Sequence, residues 1–365
     1  MEGLSFELIR VTIGRQNSLS RIPSSEEWQA LYEISLKHAI AGVTFAGIRK
    51  LQKNGENIPS DVYWQWLGLA SQVQQRNEVM NAHCVEACRR LQQAGFKTCI
   101  LKGQGIAQLY GPELSLLRQS GDIDLWVKGG MKRATIWARQ SYGDVAFDYI
   151  NAHVPMFKET EMELHWRLRS MSNLIQNRKL QKWLKEHEGE LLNTTIELPN
   201  GLGAIPVPSL TLNRYYILLH CYNHISSKGL GLRQIMDLYF VLAHNNFDKA
   251  KNDDFRKFFL ESLGLRKFAS AMMWIMGYVF GLEKERMLCE PDEKEGRYIL
   301  NEVMQNGNMG HHDQRIKRVS KNAKIQSVAA SLQHTWHLAT HYPSEFLWTP
   351  VWIVWHFVWK RFCAR

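Results

Sequence analysis

The chain has 365 residues, of which 45% are hydrophobic and 22% charged, and its formal net charge is +10. This composition excludes a disordered or collagen-like chain and is typical of a globular protein with about two domains. The six cysteines are scattered without a CxxC pair, which indicates free thiols in a reducing compartment. Since residues 1–10 also lack an apolar signal segment, we expect a cytoplasmic protein.

The first 94 residues are predicted to be wholly helical. Helices are expected at about residues 4–13, 24–41, 43–51 and 62–93. Ser24 and Glu27 have the spacing of a capping box, which marks the start of the second of these helices. We expect this N-terminal helical region to pack over or beside the sheet that follows.

Residues 95–207 are predicted to form an α/β core. Apolar runs and alternating patterns indicate a helix at 131–140 and strands at 96–101, 122–127, 145–150, 153–158, 160–168 and 193–198. The connections after residue 145 are too short for parallel crossovers, so the sheet is expected to be mixed. With helical regions on both sides, the predicted fold class is α+β, a small mixed sheet flanked by helices.

A glycine turn follows the first predicted strand. The segment Lys102-Gly103-Gln104-Gly105 separates the strand at 96–101 from a short helix at 106–110. Backbone N–H groups and a helix start favour an anion at such a turn, and glycine lets the backbone come close to it. The pattern predicts a phosphate cradle, and an ordinary strand-to-helix turn is the alternative.

Two acids stand side by side on the strand at 122–127. Asp122 and Asp124 are two residues apart, so their side chains share one face of the strand. Carboxylates that close repel each other unless a cation lies between them, and Mg²⁺ is bound by one or two carboxylates together with substrate phosphates. The pair predicts a metal and nucleotide site, although a solvated strand edge would show the same pattern.

The strand at 160–168 offers a third carboxylate. Its polar face carries Glu161, Glu163, His165 and Arg167. If this strand lies beside Asp122, one of its acids completes a three-carboxylate cluster, which in phosphoryl transfer commonly holds two metal ions. His165 is expected to orient a carboxylate or to contact the acceptor, with a structural histidine as the alternative.

Together these motifs resemble the uncharacterised nucleotidyltransferase family within the DNA-polymerase-β-like superfamily. The segments that carry the resemblance are Leu101-Lys102-Gly103, Arg118-x-x-Gly121-Asp122-Ile123-Asp124-Leu125 and Glu163-Leu164-His165-Trp166. The resemblance implies that Gly103 is the turn glycine. It also implies that Asp122 and Asp124 are catalytic metal ligands, with Glu163 as the third carboxylate.

The resemblance further implies transfer of a nucleoside monophosphate from a nucleoside triphosphate to an acceptor hydroxyl, with Mg²⁺, or alternatively Mn²⁺, as the cofactor. The residues expected at the nucleotide are Lys102, Gly103, Gln104, Arg118 and Arg233. Two features depart from the superfamily pattern. Gln104 stands where the superfamily has Gly or Ser, and the loop at 111–120 is an insertion. Two alternatives stay open: a catalytically lapsed nucleotide-sensing or interaction protein, and a transferase that modifies nucleic-acid ends.

Residues 208–344 are predicted to form a helical domain. Helical spacing is found at 212–225, 232–244, 254–263, 265–280 and 315–340, with a mixed-charge surface segment at 283–297. His220 and His224 share a helix face, and we expect them at an inner wall over the nucleotide, with a zinc site as the alternative. Arg233 and Asp237 also share a face, either as an ion pair or with Arg233 turned toward the triphosphate.

A C-terminal amphipathic helix is expected at residues 345–365. Thr349 is its predicted N-cap, followed by Pro350, and its tryptophan stripe consists of Trp348, Trp352, Trp355 and Trp359. The apolar stretch is too short to span a bilayer, but tryptophan followed by Lys360-Arg361 favours an anionic lipid interface. We therefore expect peripheral contact of 346–365 with the inner membrane and a link to surface polysaccharide assembly. Packing of the stripe on the protein or on a second subunit is the alternative.

Most of the excess charge lies in the same part of the chain. Residues 311–365 contain eight Lys or Arg and two acids, which accounts for +6 of the net charge of +10. Such a balance indicates an acidic partner, either a membrane surface or nucleic acid, and a merely solvated tail is the alternative. The basic run at 315–324 has no aromatic residue for base stacking, which disfavours nucleic acid.

Overall fold

The computed structural model describes residues 1–227, 229–317 and 319–363. It confirms the predicted α+β class, with a four-stranded sheet, a two-stranded hairpin and helices at both ends of the chain. The strands are β1 (Thr98–Leu101), β2 (Ile123–Val127), β3 (Asn151–His153), β4 (Met162–His165), β5 (Thr194–Leu198) and β6 (Gly203–Val207). The helices up to the hairpin are α1 (Glu2–Thr12), α2 (Ser25–Lys37), α3 (Ala41–Lys53), α4 (Ser60–Gln93), α5 (Gly103–Ala107), α6 (Gly130–Tyr142) and α7 (Leu174–Glu186). Those after it are α8 (Leu210–Ser227), α9 (Leu232–Ala243), α10 (Lys249–Arg256), α11 (Arg266–Phe280), α12 (Glu293–Asn306), α13 (Ala323–His337) and α14 (Pro343–Cys363).

Four helices precede the sheet, as the sequence predicts. The capping box at the start of α2 is formed, because the Ser24 hydroxyl accepts from the Glu27 amide and the Glu27 carboxylate accepts from the Ser24 amide. The 34-residue α4 packs its buried face against β1, β2 and β6. The longest helix thereby supports the strands that carry the predicted acids.

The four-stranded sheet is mixed, with the order β1-β2-β4-β3. β2 is antiparallel to β1 and parallel to β4, and β3 is antiparallel to β4. In the β2–β4 register Asp124 stands opposite Glu163. The pairing brings two acids that are far apart in the chain to neighbouring positions on one sheet face.

Two predicted strands, at 145–150 and 153–158, are not formed as such. The chain makes instead the short edge strand β3 between them. Pro155 has no amide hydrogen to donate to a ladder, and Tyr149 turns its side chain into a buried position. Both features end the pairing that an apolar pattern alone would suggest.

Two elements, α7 and β6, lie where the sequence analysis assigns none. α7 is capped by Asn173, whose side chain accepts from the amides of Ile175 and Gln176. β6 pairs with β5 although it contains Gly203 and Pro206, residues that are typical of loops. Pro206 is tolerated because a two-stranded hairpin has only edge strands.

The helical region after the hairpin follows the predicted spacing in α8, α9 and α11, but α12 and α13 differ from it. α12 begins inside the expected surface segment at 283–297, where it takes up the last five residues, and it is capped by Asp292. α13 begins at residue 323 rather than 315, because Arg315 is held by ion pairs with Glu302 and Asp313. These ion pairs hold Arg315 in the loop that precedes α13.

The last helix, α14, begins earlier than expected. Pro343 occupies its first position, which suits proline, so that Thr349 is not the N-cap and Pro350 lies inside the helix. The tryptophan stripe packs on the protein, as in the alternative interpretation, because its side chains surround one ring, that of Tyr149. The three that contact it are Trp352, Trp355 and Trp359, with ring centroids 5.5, 5.1 and 5.3 Å away. No helix in the described ranges has the length and apolarity required to cross a bilayer.

Two hydrophobic clusters bury the sheet on both faces. One contains residues of α1, α3, α8, α9 and α11 together with Cys99, Leu101 and Trp126. The other contains residues of α4 and the hairpin together with Ile100 and Leu125. Because side chains alternate along a strand, Asp124 lies on the same face as Trp126, toward α8 and α9.

Candidate functional site

The strands that carry the acids border a cleft with a volume of about 200 Å³. Its charged lining comprises four cations and four acids: Lys102, Arg118, Arg169, Arg233, Asp122, Asp124, Glu163 and Asp237. Gly103 also lines the cleft, whereas Gln104 does not. All but one of the predicted site residues are therefore brought together at one place.

Asp124 is the buried centre of this cleft. Its Oδ2 lies 2.8 Å from Lys102 Nζ, and its Oδ1 lies 2.9 Å from His165 Nε2. The same imidazole nitrogen lies 3.0 Å from Glu163 Oε2. His165 thus bridges the two carboxylates, which is one of the two functional roles expected for it.

Glu163 is held from a second direction by the edge strand. Asn151 in β3 donates from Nδ2 to Glu163 Oε2 over 2.5 Å. His165 Nδ1 lies 3.3 Å from the carbonyl oxygen of Arg167, so the ring orientation is also fixed. The carboxylate and the imidazole are consequently positioned by the sheet rather than by a loop.

Asp122 lies at the start of β2, half-buried in the lining of the cleft. The charge of Asp124, together with burial, raises the pKa of Asp122 above its usual value. Within the described residues, the three potential metal ligands whose atoms lie within 4.8 Å of one another are Asp124, Glu163 and His165. Asp122 is close enough to interact with Asp124 electrostatically but lies outside that group.

The charge state of this cluster follows from its contacts. Burial raises the pKa of Asp124, but Lys102 and His165 outweigh burial and hold that pKa well below its usual value. Burial likewise raises the pKa of Glu163, and the hydrogen bond with His165 reverses the effect. For His165, burial lowers the pKa, and the two carboxylates raise it above the usual value. The three pKa shifts thus share one cause, the contact of the imidazole with both carboxylates.

The donor set fits a divalent cation. Asp124 Oδ1 is buried and accepts no well-aligned hydrogen bond, although His165 Nε2 is near. Carboxylate oxygens suit Mg²⁺ and Mn²⁺, and an imidazole nitrogen is a ligand for transition metals. Asp124 and Glu163 would supply the oxygen ligands, with His165 available as a nitrogen ligand.

The glycine turn has an unusual backbone at Lys102. Its φ is +48°, a value that non-glycine residues seldom adopt, and Gly103 follows with φ +39°. Gln104 lies in a buried network, where it donates to Asn81 Oδ1 and accepts from the Ser120 hydroxyl, each over 2.6 Å. The turn thus presents Lys102 to Asp124, while Gln104 ties the turn to α4 and to the loop before β2.

Arg118 makes a buried ion pair with Asp237. Its Nε and Nη2 donate to the two carboxylate oxygens over 2.7 and 2.6 Å, and the Tyr110 hydroxyl donates to Oδ1 over 2.7 Å. Asp237 thus has Arg118 as its partner. The ion pair between Arg233 and Asp237 that was expected within α9 is not the one formed. Arg233 instead donates from Nη1 to the carbonyl oxygen of Gln119 over 2.9 Å.

Sequence reasoning missed Arg169, although it continues the alternation of Glu163 and His165 along the chain. Its Nη2 is hydrogen-bonded to Nδ1 of His220. Burial and the charge of Arg169 lower the pKa of His220 well below its usual value, so this imidazole is a neutral acceptor. His220 and His224 both line the cleft, as expected for an inner wall, and neither belongs to the group of potential metal ligands.

Two guanidinium groups in the cleft retain hydrogen-bonding capacity. The Nε atoms of Arg169 and Arg233 are buried and have no hydrogen-bond partner among the described residues. A buried donor without a partner is costly, and a charged donor more so, unless a ligand satisfies it. The arrangement is therefore suited to an anion with several acceptor oxygens, such as a phosphate chain.

A family model described as uncharacterised nucleotidyltransferase matches residues 24–281. The match covers more than half of the chain and includes every residue that lines the cleft except Met309. It ends before α12, so α13 and α14 lie outside it. Comparison with the curated proteins and with the solved structures found no match.

Proposed function

The chain belongs to the uncharacterised nucleotidyltransferase family, and from this premise we propose that it transfers a nucleoside monophosphate from a nucleoside triphosphate to an acceptor hydroxyl. Pyrophosphate is the second product. The observation that carries the proposal is the register of β2 and β4, which sets Asp124 beside Glu163 in a cleft that also contains Asp122. Carboxylates clustered at a phosphate-sized cleft are the arrangement that metal-assisted phosphoryl transfer requires.

The acids are proposed to hold Mg²⁺, with Mn²⁺ as the alternative because His165 adds a nitrogen donor. When bound, the cation would polarise the phosphate oxygens and lower the pKa of the acceptor hydroxyl. Asp122 and Asp124 are the proposed ligands near the nucleotide. Glu163, oriented by Asn151 and His165, is the proposed second-metal ligand or the base that accepts the hydroxyl proton.

The cations of the cleft are proposed to bind the triphosphate. Arg169 and Arg233 have buried Nε–H groups that no described residue accepts from. Charge-assisted bonds from guanidinium to phosphate are among the stronger hydrogen bonds in proteins. Lys102 lies close enough to Asp124 to balance its charge and to approach a metal-bound phosphate. These groups would offset the negative charge of the transferred group and of the departing pyrophosphate.

The proposal is tested by pyrophosphate release from the common nucleoside triphosphates, with Mg²⁺ or Mn²⁺, in the presence of sugar, polyol, peptide and nucleic-acid acceptors. The Asp122→Ala/Asp124→Ala double variant should lose metal-dependent release and keep the far-UV spectrum of the wild type. The matched control is Glu33→Ala/Asp61→Ala, which removes two exposed acids outside the cleft. Undiminished metal-dependent turnover in the cleft double variant would contradict the proposal.

A non-catalytic nucleotide sensor is the second candidate, and one observation favours it. Lys102 and His165 already neutralise Asp124 and Glu163 within the protein, so the acids have partners without a metal. Calorimetric titration with each nucleotide separates the two functions. Tight binding without pyrophosphate release, across every acceptor tried, would support the sensor.

A further inference from the structure

The helix α14 has two apolar faces, and only one of them is covered. The inner face carries the tryptophans that surround Tyr149, and His356 on the same side pairs with Asp148. These contacts attach the helix to the loop that precedes β3. A second face beside it carries apolar side chains that are exposed.

The outer face is a continuous apolar stripe. Its members are Leu347, Val351, Val354, Phe357, Val358 and Phe362, which recur at helical spacing. Leu347 and Val354 are each 65% exposed, and Phe362 is 76% exposed. Single exposed apolar residues are ordinary, but a stripe that extends along a whole helix marks an interaction surface.

The neighbouring helix α13 also exposes apolar side chains. It packs against α14 and exposes Val328, Leu332 and Trp336, which are spaced one turn apart. Trp336 is 65% exposed. Tryptophan is enriched at the headgroup level of membranes, where an apolar ring and a polar N–H are both accommodated.

The charges at the C-terminal end of the stripe are of one sign. Lys360 and Arg361 are exposed near the end of α14, and residues 346–363 contain no acid. Lys317 and Lys321 are exposed in the segment before α13. Two copies of this surface would bring like charges together, whereas an anionic lipid surface would attract them.

The composition of the stripe also distinguishes a lipid surface from a protein partner. Protein interfaces combine apolar anchors with polar groups and carry roughly one hydrogen bond per 100–200 Å². The six outer residues offer no side-chain hydrogen-bonding group at all. An apolar face with cations at its end is the arrangement of helices that lie in the plane of a membrane interface.

We propose that the outer face of α14 docks on the surface of an anionic lipid bilayer, with the helix parallel to the membrane. Leu347, Val354 and Phe362 would enter the boundary between headgroups and acyl chains, and Lys360 and Arg361 would contact anionic headgroups. The tryptophan stripe stays against Tyr149, so docking needs no rearrangement of the protein. This surface lies outside the residues that match the family, and it adds a membrane-binding function to the chain.

The test is flotation of the full-length protein with vesicles of phosphatidylcholine alone or of equal parts phosphatidylcholine and phosphatidylglycerol. The wild type should bind the anionic vesicles more tightly than the neutral ones, and added salt should weaken that binding. Val354→Ser/Phe357→Ser should weaken binding at least about tenfold. The matched control is Trp64→Ser/Ile175→Ser, which removes two equally exposed apolar side chains elsewhere and should bind like the wild type.

Two further measurements make the outcome decisive. Lys360→Gln/Arg361→Gln should remove most of the preference for anionic over neutral vesicles while a thermal unfolding scan stays unchanged. Light scattering of the wild type and of Val354→Ser/Phe357→Ser reports the oligomeric state without lipid. Failure of the wild type to bind anionic vesicles at low salt would overturn the proposal. So would a dimer that the Val354→Ser/Phe357→Ser variant converts to a monomer, because the face would then be covered by a second copy.

Discussion

Two buried charge clusters line the same cleft and are built in different ways. At one, Arg118 and Asp237 form a two-point ion pair in which the Tyr110 hydroxyl adds a third hydrogen bond. At the other, Asp124 and Glu163 share one imidazole nitrogen, and Asp124 Oδ1 lacks a well-aligned hydrogen bond. The first cluster is complete within the protein, and the second still has room for a ligand.

This difference separates an ion pair that is satisfied within the protein from acids that are only partly satisfied and that we propose as a binding site. A buried pair with every group satisfied holds two segments together, here the loop before β2 and helix α9. Acids gathered on one sheet face and only partly satisfied repel each other and attract a cation. The same kind of residue should therefore have a different role at each end of the cleft.

The largest expected effect comes from replacing Asp124 by Asn, which keeps the shape of the side chain and removes its charge. Turnover should fall about a thousandfold, or about 4 kcal/mol in the barrier, because the carboxylate proposed as a metal ligand is replaced by an amide. The free energy of unfolding should fall as well, but by less than at Asp237, because Asp122 and Glu163 remain as countercharges for Lys102. Steady-state kinetics and urea titration measure the two quantities. A large loss of stability with normal turnover would instead give Asp124 a structural role.

Asp237→Asn, the same substitution at the other cluster, should act mainly on stability. It leaves the buried guanidinium of Arg118 without a countercharge, and we expect a loss of about 3 kcal/mol in the free energy of unfolding. Urea titration of Arg118→Met/Asp237→Leu, which removes both charges, provides the matched comparison and should recover more than half of the loss. If the double variant were no more stable than Asp237→Asn, the unpaired charge of Arg118 would not be the cause of the lost stability.

A smaller effect is expected when Arg169 is replaced by Met, which removes one cation from the cleft but keeps the stem of the side chain. Nucleotide affinity should fall about thirtyfold, or about 2 kcal/mol, the usual range for a hydrogen bond to a charged group. Isothermal titration with a non-hydrolysable nucleotide measures it. Arg169→Lys should retain part of the affinity because it keeps the charge and loses the planar guanidinium. Equal affinity in wild type and Arg169→Met would remove Arg169 from the nucleotide site.

The smallest of the four effects concerns Asn151, which contacts Glu163 but not the cleft centre. Asn151→Ala should weaken metal-dependent turnover about tenfold, because supporting hydrogen bonds orient a ligand without binding the metal themselves. The reduction should appear as a higher metal concentration for half-maximal rate, measured by Mg²⁺ titration. Asn151→Asp would add a further acid beside Glu163 and should not restore the wild-type value.

Local patterns were enough to predict much of the fold and the acids of the site. The alternation in the strand at 122–127 placed Asp122 and Asp124 on one face, and the Ser24–Glu27 spacing located the start of α2. These features depend on residues that are close in the chain. Strand β6 was missed because Gly203 and Pro206 resemble a loop, and only pairing with β5 makes that segment a strand.

Long-range pairing decided what the sequence could not. Arg118 meets Asp237, and Arg169 meets His220, through the packing of distant segments, and no local pattern distinguishes these partners from others. The register of β2 against β4, which sets Asp124 opposite Glu163, is likewise a property of the assembled sheet. The sequence therefore predicted which charged residues line the cleft more readily than which of them pair with each other.

The packing of Tyr149 under α14 has a consequence for the nascent chain. Tyr149 leaves the ribosome long before Trp352, Trp355 and Trp359 are synthesised, so its aromatic ring lacks these packing partners during much of translation. Only two residues further on, Asn151 begins the edge strand that steadies Glu163. A ribosome arrested before residue 343 should therefore display a chain in which this edge is accessible to proteases and chaperones, and release of α14 should protect it.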